Sequence, residues 1–183
     1  MRLKDKVAII TGGSRGIGFA TADAFLREGA KVAVAASSEK NAEAAVEKLK
    51  AIHPDAEVVG ISPNLGSFES VKEEFDKVEK QFGRIDILVN NAGVSESTPF
   101  TSYTEADFDR VIDLNVKGVF NATRAVVDGM IKNHSGVVLN TSSMVSISGQ
   151  PSGFAYPASK FAVNGTTISL ARDCLLYTSP SPR

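Results

Sequence analysis

Tryptophan is absent, cysteine occurs once (Cys174), and histidine occurs twice (His53 and His134). A lone thiol forms no disulfide within the chain and makes a cysteine-based metal site untenable. The two histidines stand outside any ligand-like cluster, so no bound metal is expected. A reducing, cytoplasmic setting fits this pattern. A surplus of one charge is lacking too: 20 Lys and Arg against 21 Asp and Glu leave a formal net charge of -1. That balance gives no reason to expect nucleic acid or an anionic membrane as a partner. No apolar run approaches the roughly 20 residues of a membrane span. The N-terminal Met1-Arg2-Leu3-Lys4-Asp5-Lys6 enters a strand-like segment without the apolar stretch of a signal peptide. Internal repeats, low-complexity tracts and linkers are missing as well. What remains is 183 residues, 43% of them apolar, enough for one domain with a sizeable core.

Hydrophobic periodicity alternates along the chain. Short apolar runs at Val7-Ala8-Ile9-Ile10, Val32-Ala33-Val34-Ala35, residues 57–62, Ile85-Asp86-Ile87-Leu88-Val89 and residues 136–140 read as five buried strands. Between them, helical patterns cover residues 15–28, 39–52, 68–82 and 104–133, and a last helix begins near Tyr156. Gly29 and Gly83 sit where helices end. Continuous apolar strands alternating with helices predict an α/β protein with a doubly wound parallel sheet, the Rossmann fold, over residues 1–173. In such sheets ligands bind beyond the carboxyl ends of the strands, so the turns after Ile10, Ala35, Ser62, Val89 and Leu139 are the places to search. Residues 174–183 break off a helix in mid-course and add two prolines. This decapeptide resembles the translation of a sequencing adapter and is expected to be a non-native tail.

Thr11-Gly12-Gly13-Ser14-Arg15-Gly16-Ile17-Gly18 joins the first strand to the first helix. Glycines there permit positive φ and close backbone approach, and a helix N-terminus attracts a pyrophosphate. The spacing is G-x-x-x-G-x-G, and no Gly-Lys-Ser/Thr ending marks a nucleoside-triphosphate loop. Gly12, Ser14, Arg15, Gly16, Ile17 and Gly18 are therefore expected to hold a dinucleotide, a bare tight turn being the alternative. At the end of the second strand, Ala35-Ala36-Ser37-Ser38 supplies no carboxylate for a ribose 2′-hydroxyl. Arg15, Ser37 and Ser38 suit a 2′-phosphate instead, so NADP(H) is expected over NAD(H). The competing role for Ser37 or Ser38 is to cap the next helix.

Tyr156 and Lys160 are four residues apart at the start of a helix and share one face. A phenol is a poor base at neutral pH, and a neighbouring ammonium stabilises its phenolate, making it a usable proton donor and acceptor. Ser143, thirteen residues before Tyr156, is placed to hydrogen-bond a carbonyl oxygen as charge develops. The thirteen-residue interval favours Ser143 over its neighbour Ser142.

On these residues the chain resembles the short-chain dehydrogenases/reductases over nearly all of residues 3–173. The matching motifs are the turn at Thr11, Asn90-Asn91-Ala92-Gly93, Asn115, Ser143 and Tyr156-x-x-x-Lys160. The resemblance implies that Tyr156 is the general acid/base and that Lys160 lowers its pKa and holds the nicotinamide ribose. It further implies that Ser143 polarises the substrate carbonyl and that Asn115 holds a water relaying protons from Lys160. Asn90, Ala92 and Gly93 would line the cofactor cleft. Asn64-Leu65 stands where many relatives have Asp followed by an aliphatic residue, so Asn64 meets the adenine without a charge. A strand-to-loop turn at 90–93 and a buried bridging amide at Asn115 are the plainer alternatives.

Family members continue for several dozen residues beyond Asp173, adding two strands and a substrate-covering helix pair. The resemblance therefore implies a fold lacking the family's last strands, an exposed edge at Val137-Val138-Leu139, and a polypeptide of low activity and solubility. The full-length parent would be a homodimer or homotetramer. The expected reaction is reduction of a small-molecule or acyl-carrier carbonyl, first of a 3-oxoacyl-[acyl-carrier-protein]. The alternatives are a bile-acid type hydroxysteroid dehydrogenase, a sugar dehydrogenase or, in another class, a non-catalytic nucleotide sensor.

Overall fold

The computed structural model describes residues 1–174, so the reading of the tail beyond Cys174 lies outside the described residues. Five strands, β1 (Val7–Thr11), β2 (Lys31–Ala35), β3 (Val58–Ile61), β4 (Ile87–Asn90) and β5 (Val137–Asn140), form one sheet. Its order is β3-β2-β1-β4-β5 and every pairing is parallel. This is the expected doubly wound α/β sheet. The central strands are apolar on both faces because helices cover both: all five residues of β1 are buried.

On one face β1, β2 and β4 pack Ile10, Val34 and Val89 against Leu26 of α1 (Gly16–Arg27) and Leu49 of α2 (Glu39–Ile52). On the other, Ile9 and Leu88 meet Phe75 of α3 (Phe68–Phe82) and Val126 of α5 (Gly118–Lys132). Local chemistry fixes the helix ends. Ser38 and Ser67 accept from the backbone N–H groups of Asn41 and Ser70 to start α2 and α3. Gly83, at φ 86°, closes α3 in the left-handed conformation that a glycine adopts without strain. At the opposite end of the sheet from the site, buried Asp86 accepts from the Val7 N–H at 3.0 Å and pairs with Arg84 at 2.5 Å.

The helical region expected over 104–133 is interrupted. α4 (Glu105–Ile112) opens with a Thr104/Asp107 capping box, and a π turn at Asp113–Lys117 precedes α5. The widened turn buries Asn115, an arrangement common at functional sites. A short helix, α6 (Val145–Ser148), precedes α7 (Ala155–Cys174). Strand and helix bounds otherwise fall within two residues of those expected. Among the described residues no strand pairs with the outer edge of β5, where Val137 and Leu139 are about half exposed.

Candidate active site

The strand order reverses at β1, whose neighbours are β2 and β4, so the crevice for a ligand opens at their carboxyl ends. The turn after β1 holds Gly12 at φ 63° and Gly16 at φ 55°. Gly18 is required for a different reason, since a Cβ there would overlap the Gly12 carbonyl oxygen and lie 2.6 Å from Asn91 Nδ2. Gly16, by contrast, faces open space, with nothing within 4 Å of a Cβ. The first turn of α1 has no side-chain cap and no acidic residue. Its backbone N–H groups and positive dipole end are thus left for an anion, which fits a dinucleotide pyrophosphate.

A groove of about 670 Å³ runs from this turn across the ends of β2, β3 and β4. Gly12, Ser14, Arg15, Gly16 and Ile17 line its first part. Ser37, Asn64 and Leu65 line its far part, and Ala92 and Gly93 its near wall. Three residues expected there are placed otherwise. Gly18 packs beneath the turn. Ser38 does not line the groove: its hydroxyl caps α2, accepting from Asn41 N at 3.3 Å. Asn90 is buried behind β4, its amide donating to Thr123 Oγ1 at 3.1 Å and to Asn140 Oδ1 at 2.9 Å. A side chain at the last position of a parallel strand points to one face or the other, and here it points into the sheet–helix layer.

Asn91, the neighbour of Asn90, is the asparagine that reaches the turn. Its Nδ2 donates to the carbonyls of Thr11 and Gly12 at 3.1 and 3.2 Å. Thr11 Oγ1 accepts from the N–H groups of Asn91 and Ala92, both at 3.0 Å. This clamp welds the glycine turn to the loop after β4. Both residues lie inside the motifs that mark the family, but sequence alone does not tell which of two adjacent asparagines turns towards β1.

The second cluster lies at the ends of β4 and β5. Lys160 is only 6% exposed. Its ammonium donates to the Thr141 carbonyl at 2.7 Å and stands 5.7 Å from the centre of the Tyr156 ring. Burial pushes the Lys160 pKa below the ordinary lysine value. Asn115 Nδ2 donates to the Val94 carbonyl at 2.9 Å and to Ser159 Oγ at 3.0 Å, and its Oδ1 accepts from Val94 N at 2.8 Å. Its amide thus bonds Val94 and Ser159, bridging the loop after β4 and α7. Ser142 donates to Asn164 Oδ1 at 2.7 Å, whereas the Ser143 hydroxyl accepts from Val145 N at 3.4 Å and makes no donation among the described residues. The groove and this cluster meet at Gly93, where a Cβ would lie 3.2 Å from Asn115 Oδ1 and 3.9 Å from Lys160 Nζ.

Among the described residues no three His, Cys, Asp or Glu side chains gather as a metal site, and no helix is long and apolar enough to cross a membrane.

Comparison with known proteins agrees with this geometry. The family model described as short chain dehydrogenase matches residues 6–177. A 3alpha-hydroxysteroid dehydrogenase of Mediterraneibacter gnavus is 51% identical over 173 residues, which cover 94% of this chain and 69% of that protein. A 3-oxoacyl-[acyl-carrier-protein] reductase of Thermotoga maritima is 40% identical over 94% of this chain and 70% of its own length. Among solved structures, levodione reductase superposes with a TM-score of 0.92 at 36% identity, covering 96% of this chain and 69% of its own. NAD+-bound xylitol dehydrogenase gives 0.92 at 33% identity, covering 97% and 68%. The chain belongs to the short chain dehydrogenases, oxidoreductases that bind nicotinamide cofactors and act on carbonyl and alcohol groups.

Proposed function

We propose that the protein interconverts a ketone and its secondary alcohol, with Tyr156 as proton donor and acceptor. The observation that carries this reading is the convergence of Tyr156, buried Lys160 and groove-lining Gly93, with the Ser143 O–H uncommitted after β5. In the reducing direction the Tyr156 O–H gives its proton to the carbonyl oxygen, and Ser143 donates a hydrogen bond to that oxygen as the C=O bond becomes C–O–H. The chemistry a nicotinamide cofactor supplies when bound is the hydride for the carbonyl carbon. The Lys160 ammonium stabilises the phenolate left on Tyr156 until a proton returns.

NADP(H) is the cofactor we favour. The groove carries Arg15 in the glycine turn and Ser37 beyond β2, with no carboxylate in its lining, which suits a 2′-phosphate better than a bare ribose diol. For the substrate, the hydroxysteroid reading gains on the 3-oxoacyl thioester first expected. Met144, Ile147 and Phe154, flanking Ser143 and Tyr156 in the chain, are 75%, 71% and 53% exposed, an apolar rim suited to a rigid hydrocarbon skeleton. The relative at 51% identity bears the name of a hydroxysteroid enzyme.

The test is oxidation of NADPH and NADH by the purified protein with a 3-oxosteroid and with a 3-oxoacyl thioester. Faster turnover of the steroid with NADPH is expected, with Tyr156→Phe slower by at least about 100-fold. A Tyr156→Phe protein as active as the parent would refute the assignment and favour a nucleotide sensor.

A further inference from the structure

α7 begins without a cap of its own. Phe154 occupies its N-cap position, and Pro157, the third residue of its first turn, has no N–H. The N–H groups of Ala155 and Tyr156 therefore need acceptors from elsewhere. Tyr156 finds one 60 residues away in sequence. Glu96 Oε1 accepts from the Tyr156 N–H at 3.3 Å and from the Tyr103 hydroxyl at 2.7 Å. Glu96 Oε2 accepts from Thr98 N at 3.2 Å, which fixes the carboxylate's orientation.

The main chain ties the same two segments together. The Glu96 carbonyl accepts from Gln150 Nε2 at 3.3 Å, and Gly153 N donates to the Thr98 carbonyl at 3.0 Å. Gly153 is held at φ 80°, and a Cβ there would overlap the Glu96 carbonyl oxygen. Phe154 packs tilted against Phe100, ring centres 5.1 Å apart, and meets Tyr103 edge-on at 6.4 Å. Burial, and next the bond to Glu96, push the Tyr103 phenol up, so it remains a donor throughout the neutral range.

We infer that Glu96, seconded by Tyr103, is a positioning residue: its carboxylate is the N-cap of α7, supplied from the loop after β4, and it sets where Tyr156 stands. The carboxylate satisfies a backbone donor at the positive end of the helix and places its charge where the dipole favours it. The loop it comes from also carries Val94, which Asn115 holds, and Gly93, which stands beside Lys160. Glu96 thereby couples the wall of the cofactor groove to the helix bearing the acid/base. This inference rests on the proposed role of Tyr156.

The experiment compares Glu96→Ala, Glu96→Gln and Tyr103→Phe with Ser97→Ala as control. It reads kcat, the Kd for NADPH, and amide exchange resolved along the chain. Glu96→Ala is expected to lower kcat roughly 10–100-fold with the cofactor Kd unchanged. It should speed exchange at Ala155 and Tyr156 about tenfold while sparing β1. Glu96→Gln, which keeps an oxygen acceptor, should recover most of both, and it carries the comparison with Tyr103→Phe if Glu96→Ala does not fold. Unchanged exchange at Ala155 and Tyr156, or exchange that rises equally in β1, would overturn the inference. If the parent protein shows no turnover, exchange alone decides: local loss of protection retains the cap and rejects only the catalytic reading.

Discussion

Replacing Lys160 with Met should stabilise the protein at neutral pH while abolishing its proposed catalysis. Lys160 is 6% exposed, its ammonium has one hydrogen-bond acceptor among the described residues, the Thr141 carbonyl at 2.7 Å, and burial lowers its pKa. The effective cost of burying an ion is several kcal/mol, and the charged hydrogen bond returns about 1.5–3 kcal/mol. Set against each other, these leave a net gain from Lys160→Met of about 1 kcal/mol. The pH dependence gives a sharper signature. The folded-state pKa is lowered, so between that value and the ordinary 10.5 the unfolded chain binds more protons and stability rises with pH. Lys160's contribution is most favourable above 10.5 and is lost as the pH falls through the lowered folded value. Urea unfolding of both proteins at neutral and alkaline pH measures the difference directly, other groups cancelling. The advantage of Lys160→Met should shrink as the pH rises. A variant less stable than the parent at neutral pH, with a difference that does not change with pH, would refute the reasoning.

The two ends of the glycine turn should respond differently. Gly18→Ala forces a methyl into the Gly12 carbonyl and should cost about 1–3 kcal/mol in urea unfolding without any ligand, whereas Gly16→Ala adds only left-handed strain of roughly 1–2 kcal/mol and places its methyl where a cofactor would lie. Fluorescence titration should show Gly16→Ala losing NADPH affinity out of proportion to its stability. Asp86→Ala strands the buried Val7 N–H and the Arg84 guanidinium, and thermal unfolding should report a loss of about 3 kcal/mol with the cofactor Kd unchanged. Ser38→Ala should cost about 1 kcal/mol as a lost cap and leave the NADPH/NADH preference alone, while Arg15→Ala should weaken NADPH and not NADH.

Much of this protein was legible in one dimension. Period and burial agree for β1 and β2, whose all-apolar strands tolerate only a sheet covered on both faces, and for α3, bounded by the Ser67 cap and Gly83. The glycine turn, Ser143, Tyr156 and Lys160 could be placed at the carboxyl edge of the sheet because their positions depend on local spacing: a positive φ, a helix face, a hydroxyl just past a strand. Tertiary structure decided whatever depends on which way a side chain turns or on contacts between distant segments. It sent Asn90 into the layer behind β4 and Asn91 to the turn, spent Ser38 on a helix and Ser142 on Asn164, and wound the π turn that buries Asn115. It also brought Glu96 to the start of α7, where Phe154 and Pro157 leave donors that only another segment can satisfy. Periodicity records how much of a residue is buried, not which neighbour receives its hydrogen bonds, and those choices are made only when β4, β5 and α7 come together.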